Sequence, residues 1–219
     1  MVDATGSRRP LKSRQRAWAI HLAATLARAG ASPNAISLAS VAFAGIAAAA
    51  LAALGSVGDG WRTVLLLAAA AGIQLRLLCN LLDGMVAVEG GRRTKSGELF
   101  NDVPDRAADA VIFVGAGYGL PWTEWGGALG WATALLAVLT AYVRVLGGAL
   151  GLPQDFCGPM AKQHRMALLT LACLLAIIEG AVAAYGGRIL GIALIVIALG
   201  SLFTIGRRLL RIKRGLEAR

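Results

Sequence analysis

Polar and charged side chains recur along one face of an otherwise apolar segment near residue 80. Arg76, Asn80, Asp83 and Ala87 follow one another at steps of four, three and four residues, which places them on one stripe of a helix. An ionisable group inside a long apolar helix is costly, so it marks a functional site by default. We therefore treat this stripe as one half of a candidate site.

A second polar stripe begins about twenty residues later. Asn101, Asp105 and Asp109 are spaced by four residues and share one helix face. A short glycine-containing loop joins the two segments. We expect an antiparallel helix pair that brings both stripes face to face at one end of the bundle.

The chemistry of these side chains favours a hard divalent cation. Clustered carboxylates repel one another unless a positive charge lies between them. Carboxylate and amide oxygens are the ligands that Mg²⁺, Mn²⁺ and Ca²⁺ prefer, and such an ion at the edge of a membrane is suited to hold a diphosphate. The alternative is that the acids pair with nearby arginines and only stabilise the helix bundle, with Arg76, Arg92, Arg93 and Arg106 as the partners.

The composition identifies the environment of these segments. Of 219 residues, 57% are hydrophobic and 16% are charged, whereas a soluble domain has about 25% charged residues. A soluble enzyme, a disordered chain and a disulfide-rich secreted module are therefore excluded. Three cysteines without paired spacing indicate neither a disulfide framework nor a zinc site.

The apolar runs predict an all-α integral membrane protein with six transmembrane helices. A crossing needs roughly 20 apolar residues, and the chain forms one domain over 1–219. A basic segment, 1–16, and an amphipathic interfacial helix, 17–31, precede the six-helix bundle at 36–208. The crossings are expected near 36–55, 63–88, 100–120, 126–147, 165–185 and 188–208, before a basic tail at 209–219.

The basic residues are distributed asymmetrically between the two sides of the membrane. Six precede residue 29, three lie in the loop 89–98 and six follow residue 206, whereas the opposite loops hold only Arg62 and Arg188. This asymmetry predicts cytoplasmic termini and a cytoplasmic site. The net charge of +10 then reflects topology and attraction to anionic membrane lipids. It does not indicate nucleic-acid binding.

The two stripes together resemble the signature of the CDP-alcohol phosphatidyltransferase family, D-x2-D-G-x2-A-R-x8-9-G-x3-D-x3-D. The corresponding segments here run from Asn80 to Val88 and from Gly97 to Asp105, with eight residues between Val88 and Gly97. The segment Pro33-Asn34-Ala35-Ile36-Ser37 also resembles the P-N-x-x-[ST] that precedes the first membrane helix of the family.

This resemblance implies a metal-dependent transferase. Members move a phosphatidyl group from a CDP-linked lipid such as CDP-diacylglycerol to an alcohol and release CMP. The motif acids of the family surround a divalent-metal site that is usually binuclear, which implies one or two Mg²⁺ or Mn²⁺ ions for this chain. The fourth acid, here Asp105, is implied to be the catalytic base. Residues implied to hold the metal are Asp83, Asp105, Asn80, Asn101 and Asp109; those implied to accommodate the nucleotide and its diphosphate are Gly84, Ala87, Gly97 and Arg76.

Three positions depart from the signature. Asn80 and Asn101 occupy the places of the first and third acids, and Val88 occupies that of the arginine. An asparagine keeps a carbonyl oxygen but removes a negative charge. Arg76 lies one helical turn before Asn80. There it is expected to reach a phosphate and partly replace a metal cation or the missing motif arginine. Asp109 is the expected spare ligand.

Three further cations are candidates for binding a phosphorylated acceptor or a lipid phosphate. They are Arg144 near the end of the fourth crossing, and Lys162 and Arg165 before the fifth. The alternative is that these side chains extend to the cytoplasmic interface and bind nothing specific.

The favoured function is therefore phospholipid synthesis in a bacterial inner membrane, and the resemblance also implies a homodimer. Two alternatives stay open. One is a non-catalytic relative that binds CDP-lipid or supports a partner enzyme, and the other is a small transporter. The acceptor alcohol is left open among inositol, inositol phosphate, glycerol phosphate, serine and a second lipid.

Overall fold

The computed structural model describes residues 16–89, 97–121, 123–183 and 186–219. Within these ranges the regular structure is helical and no strand occurs. A single turn of 3₁₀-helix, Ala53–Ser56, follows the second helix. The helices, in chain order, are α1 (Ala17–Arg28), α2 (Pro33–Ala52), α3 (Asp59–Glu89), α4 (Gly97–Tyr118), α5 (Gly126–Ala149), α6 (Lys162–Val182) and α7 (Arg188–Glu217).

Five of these helices are long and apolar enough to cross a membrane, namely α2, α3, α5, α6 and α7. The described part of the chain thus confirms an all-helical integral membrane protein. α4 has 22 residues, a sufficient length, but its first half carries the charged residues of the second stripe. The predicted basic tail, 209–219, continues α7 as a helix to Glu217.

The start of α2 shows why the chain becomes helical after residue 32. The Ser32 side chain accepts a hydrogen bond from the amide of Ala35 at 3.1 Å, and Pro33 occupies the first helical position. A serine cap satisfies an amide that has no partner within the helix, and proline there sacrifices no hydrogen bond.

α2 is the central helix of the first half of the bundle. It packs against both α3 and α4, whereas α3 and α4 contact each other only sparsely. α3 and α4 do meet at their polar ends, where Arg76 and Asn80 contact Asp105 as the two stripes predict, but α2 separates them over the rest of their length. Small residues explain the difference, because they allow α2 to approach both neighbours closely.

Two glycines mark these close approaches. A Cβ atom on Gly72 of α3 would lie 2.9 Å from the carbonyl oxygen of Phe43, and one on Gly115 of α4 would lie 2.4 Å from that of Ala48. Both distances are shorter than a carbon side chain tolerates. The backbones of α3 and α4 thus rest directly on opposite parts of α2.

The last three helices, α5, α6 and α7, pack against this first half. α5 packs on α4 and α7, and α6 packs on α3 and α7. α1 lies against the end of α3, where its buried Ala19 and Ala23 join a small apolar cluster with Leu82, Met85 and Val86. The polar end of α3 is thereby enclosed by α1, α2, α4 and α6.

Candidate functional site

Arg76 of α3 is the most deeply buried charged side chain of the site, with no exposed surface. Its Nη2 lies 2.9 Å from Oδ1 of Asp105 and 2.6 Å from Oδ1 of Asp109. Nη2 also donates to the backbone carbonyl oxygen of Asp105 at 3.1 Å. One guanidinium nitrogen therefore bridges two carboxylates that lie one turn apart on α4.

Asp105 presents its two carboxylate oxygens to different partners. Oδ1 accepts from Arg76 and from the side-chain amide of Asn80, and Oδ2 contacts the ammonium of Lys162 at the start of α6. Asp105 and Lys162 retain 11% and 23% side-chain exposure. The cluster is therefore accessible on the Oδ2 side of Asp105, because Arg76 and Asp109 are closed off.

Asp109 is enclosed by two arginines. Besides Arg76 at Oδ1, Nη2 of Arg165 donates to Oδ2 at 3.2 Å. Arg165 is itself buried and also donates to the carbonyl oxygen of Met160 at 2.8 Å. A carboxylate so placed is stabilised by its partners but has no oxygen directed at an open space.

Asp83 completes the stripe of α3 and faces α2. Its Oδ2 accepts a hydrogen bond from Ser37 Oγ at 2.7 Å, and the pair is buried. Ser40, one turn later, donates to Oδ1 of Asn80 at 2.9 Å. The sequence singled out Ser37 only as part of the P-N-x-x-[ST] resemblance, without a partner, and did not single out Ser40. The available signal was a pair of hydroxyls three residues apart on an otherwise apolar helix.

A second group of charges lies beside the first. Asp102 accepts from Arg106 and from Arg144, the latter at 3.2 Å. The Arg144 guanidinium also stacks over the Phe156 ring, with 5.2 Å to its centroid. Arg144 is thus fixed beside α4 and does not simply extend to the interface.

The loop between α5 and α6 is held by polar contacts to α7. Buried Arg208 donates to the carbonyl oxygens of Thr140 and Cys157 at 2.6 and 3.0 Å. Burial acts to raise the pKa of Asp155. Hydrogen bonds from Cys157 and Arg211 outweigh it and hold that pKa below its usual range. These contacts fix the segment that precedes Lys162.

The structure brings most of the predicted site residues together. Arg76, Asn80, Asp105, Asp109 and Lys162 form one contiguous cluster. Gly84 is buried beside Asp83, Ala87 is half-buried on the next turn, and Gly97 begins α4. The side chain of Asn101, like the loop residues Arg92 and Arg93, lies outside the described residues.

Comparison with known proteins identifies relatives that extend over most of the chain. A phosphatidylinositol phosphate synthase of Streptomyces avermitilis is 28% identical over 198 residues, which cover 88% of this chain and 76% of the relative. One of Mycobacteroides abscessus is 28% identical over 201 residues, which cover 86% and 80%. No protein-family model matches the sequence.

Solved structures agree with the fold. The crystal structure of Mycobacterium tuberculosis phosphatidylinositol phosphate synthase with CDP-DAG bound superposes with a TM-score of 0.71 at 19% identity, covering 89% of this chain and 92% of that one. The structure of the same enzyme with manganese and citrate also gives 0.71, covering 89% and 88%. Over most of its length the chain is therefore similar to phosphatidylinositol phosphate synthases, which are CDP-alcohol phosphatidyltransferases.

The family signature can now be compared with the geometry. Asp83 and Asp105 stand at two of its acid positions, and Asn80 lies between them, hydrogen-bonded to Asp105. Asp109, predicted to be a spare ligand, has each oxygen in an ion pair with a guanidinium group. Arg76, predicted to reach a phosphate, instead faces these carboxylates.

The oxygen donors of the cluster fit a hard divalent cation only in part. Across the described ranges, no group of three or more acidic, histidine or cysteine side chains is arranged to hold a metal. Asp83, Asp105 and the Asn80 amide do supply the type of oxygen that Mg²⁺ and Mn²⁺ prefer. The chemistry of these donors therefore suits one ion better than two.

Proposed function

We propose that this protein transfers a phosphatidyl group from CDP-diacylglycerol, or a related CDP-lipid, to a hydroxyl of an alcohol and releases CMP. The observation that carries the proposal is the contact between Asp105 Oδ2 and Lys162 at the accessible edge of a buried, ion-paired cluster. It places an acceptor for a proton and a binder for a phosphate side by side.

Asp105 acts as the catalytic base in this proposal. The acceptor hydroxyl attacks the β-phosphorus of the CDP-lipid and gives its proton to Asp105 Oδ2. A new oxygen–phosphorus bond forms, the bond between the β-phosphorus and the oxygen it shares with CMP breaks, and CMP leaves with that oxygen. Arg76 and Asn80 hold Oδ1 throughout, so the carboxylate keeps its orientation.

Lys162 exchanges partners when the donor binds. In the structure its ammonium occupies Oδ2 of Asp105, which blocks that oxygen as a base. A diphosphate entering from the exposed side offers the ammonium a stronger charge. Movement of Lys162 to the phosphate then frees Oδ2, so donor binding itself activates the base.

A divalent metal is part of the proposal, as Mg²⁺ or Mn²⁺. Asp83 and Asn80 would hold it, with Asn101 as a further candidate ligand, because one oxygen of Asp105 is held by Arg76 and Asn80 and the other takes the proton. When bound, such an ion stabilises negative charge on the diphosphate and on departing CMP. Gly84, Ala87 and Gly97 leave room for the nucleotide, because none carries a side chain larger than a methyl group.

The acceptor proposed for this chain is an inositol phosphate. The relatives are named phosphatidylinositol phosphate synthases, and that product requires a phosphorylated inositol. Arg144 and Arg106, fixed around Asp102, are the cations placed to bind its phosphate. Arg165 is assigned to Asp109 instead, because it is buried and already paired.

The proposed setting is a bacterial inner membrane with six crossings. α4 supplies the sixth crossing, α1 lies in the cytoplasmic interface, and both termini and the site face the cytoplasm. The basic residues at the two ends of the chain bind anionic lipids. The chain forms one domain over 1–219, and we propose that it assembles as a homodimer.

CMP release from purified protein tests the proposal. We expect metal-dependent release with CDP-diacylglycerol and inositol phosphate, none in EDTA, and a decrease of about 100-fold or more for Asp105→Asn. Asp59→Asn, a change at an exposed carboxylate near the opposite end of α3, is the control. Absence of release with every acceptor would refute the transferase.

A second candidate is a non-catalytic relative that binds CDP-lipid. The ion-paired state of Asp105 and the asparagine at position 80 favour it. Restoration of both acids, as Asn80→Asp/Asn101→Asp, separates the two functions. Activity gained only in this variant would establish the non-catalytic reading, whereas activity already present in the unaltered protein would exclude it.

A further inference from the structure

We propose that Arg76 is a built-in counter-cation that occupies the place of a second divalent ion, so that this chain binds one Mg²⁺ or Mn²⁺ per active site. The inference rests on the proposed function, since it concerns the metal requirement of the same cluster. It assigns Arg76 a role different from phosphate binding.

The first support is the bridging position of Arg76. Its Nη2 lies within 2.9 Å of Asp105 Oδ1 and 2.6 Å of Asp109 Oδ1. Two carboxylates one helical turn apart are the kind of pair that a bridging metal ion would join. Here a guanidinium nitrogen already occupies the bridge, and the side chain has no exposed surface through which it could withdraw into water.

The second support is the set of guanidinium nitrogens without partners. Nε and Nη1 of Arg76 are buried and make no hydrogen bond with the described residues. A buried, unpaired donor is costly, so packing alone does not account for arginine at this position. The arginine is explained instead by the positive charge of its guanidinium, which is directed at Asp105 and Asp109.

The third support is that Arg76 and Asn80 donate to the same oxygen of Asp105. The Asn80 amide donates to the same Asp105 oxygen, while its own carbonyl oxygen accepts from Ser40. An aspartate at position 80 would have no proton to donate and would repel Oδ1. Asparagine at position 80 and arginine at position 76 thus form one arrangement, in which Oδ1 is saturated by donors and unavailable to a second metal ion.

The balance of positive and negative charges in the cluster also favours a single divalent ion. Three carboxylates, Asp83, Asp105 and Asp109, are matched by three cations, Arg76, Lys162 and Arg165. The diphosphate of a CDP-lipid brings two negative charges. One divalent ion neutralises it, whereas two ions would leave a buried excess of positive charge, which is unfavourable.

Counting bound Mn²⁺ by electron paramagnetic resonance tests the inference without reference to turnover. Protein in detergent is titrated with MnCl₂ at saturating CDP-diacylglycerol. We expect one Mn²⁺ per chain for the unaltered protein and for Arg76→Lys, which keeps the charge. Arg76→Gln/Asn80→Asp should bind two, the first about tenfold or more tightly than before, because a nearby positive charge is lost and a negative one gained.

Two further variants show whether a changed ion count results from misfolding. Asn80→Asp alone keeps Arg76 and should still bind one ion. Arg208→Gln, which removes a different buried arginine, should also leave the count at one. Two ions in the unaltered protein or in Asn80→Asp, or none in the unaltered protein, would overturn the inference. One Mn²⁺ without CMP release would refute the proposed function and leave the inference standing.

Discussion

At the scale of single residues, Asp105 is the side chain on which the site depends. One oxygen is fixed by a buried arginine and an amide, and the other contacts Lys162, the most exposed of its cationic partners. In the proposed mechanism the fixed oxygen sets the orientation of the carboxylate, and the second oxygen reacts once Lys162 has moved to the phosphate. Reactivity and orientation are thus assigned to different atoms of one carboxylate.

Replacement of Lys162 tests this division. Lys162→Met removes the ammonium that would bind the incoming phosphate, and we expect kcat/KM for CDP-diacylglycerol to fall by about tenfold or more. The initial-rate assay of CMP release measures it. Lys213→Met removes a lysine that is 70% exposed and should leave kcat/KM unchanged. Equal rates for both variants would show that Lys162 has no role in donor binding.

The site could be predicted from the sequence only where helix periodicity reports it. The two stripes follow from spacing, so Arg76, Asn80, Asp105 and Asp109 were found. Their pairing does not follow, because periodicity shows which face a residue occupies and not how far a long side chain reaches across it. The partners of Ser37 and Ser40 were not predicted for a related reason, since they lie on another helix.

At the scale of helices, the position of α2 between α3 and α4 shapes the site. The lengths of the apolar runs predicted the helices well, because crossing a membrane fixes a minimum length. The arrangement of those helices was not predictable in the same way. Contacts between helices in a membrane depend on small residues, and alanine and glycine are so frequent throughout this chain that no single interface stands out.

Gly115 provides a test of this packing. Gly115→Ala would set a methyl group 2.4 Å from the carbonyl oxygen of Ala48, so α2 and α4 must separate. We expect a loss of about 1–3 kcal/mol in stability, seen as a lower midpoint of thermal unfolding in detergent. Gly45→Ala, in α2 where nothing lies within 4 Å, should leave the midpoint unchanged or raise it. Similar midpoints for the two variants would contradict this packing.

The loop before α6 has a pH-dependent attachment to α7. Because the pKa of Asp155 is lower in the folded protein than its usual value, its contacts stabilise the fold above that usual value and are lost as the pH falls through the folded one. Asp155→Asn should therefore unfold at a lower temperature than the unaltered protein at pH 7, by an amount below about 1 kcal/mol. The difference should decrease as the pH falls below about 4, the usual pKa of an aspartate; a constant difference would contradict it.

At the scale of the whole molecule, charge distribution and site position agree. The basic ends of the chain and Lys162 are predicted to lie on one side of the membrane, the side on which the ion-paired cluster opens. A water-soluble acceptor and released CMP would then enter and leave on the side where both termini lie.

Reporter fusions measure this orientation. Green fluorescent protein joined after Arg219 should fluoresce, and alkaline phosphatase at the same position should be inactive, because both then remain in the cytoplasm. Alkaline phosphatase joined after Trp125, between α4 and α5, should be active. The reverse pattern would invert the proposed topology.

The order of the helices along the chain has a consequence for biosynthesis. α2 is complete before α3 and α4 leave the ribosome, so each can pack on it as it is made. Asp105 and Asp109 are synthesised soon after Arg76, but Lys162 and Arg165 follow only after some fifty more residues. A nascent chain that ends in α5 therefore carries three carboxylates, those of Asp83, Asp105 and Asp109, against the single guanidinium of Arg76. Completion of α6 adds Lys162 and Arg165 and neutralises the cluster. The charges of the candidate site therefore balance only late in assembly.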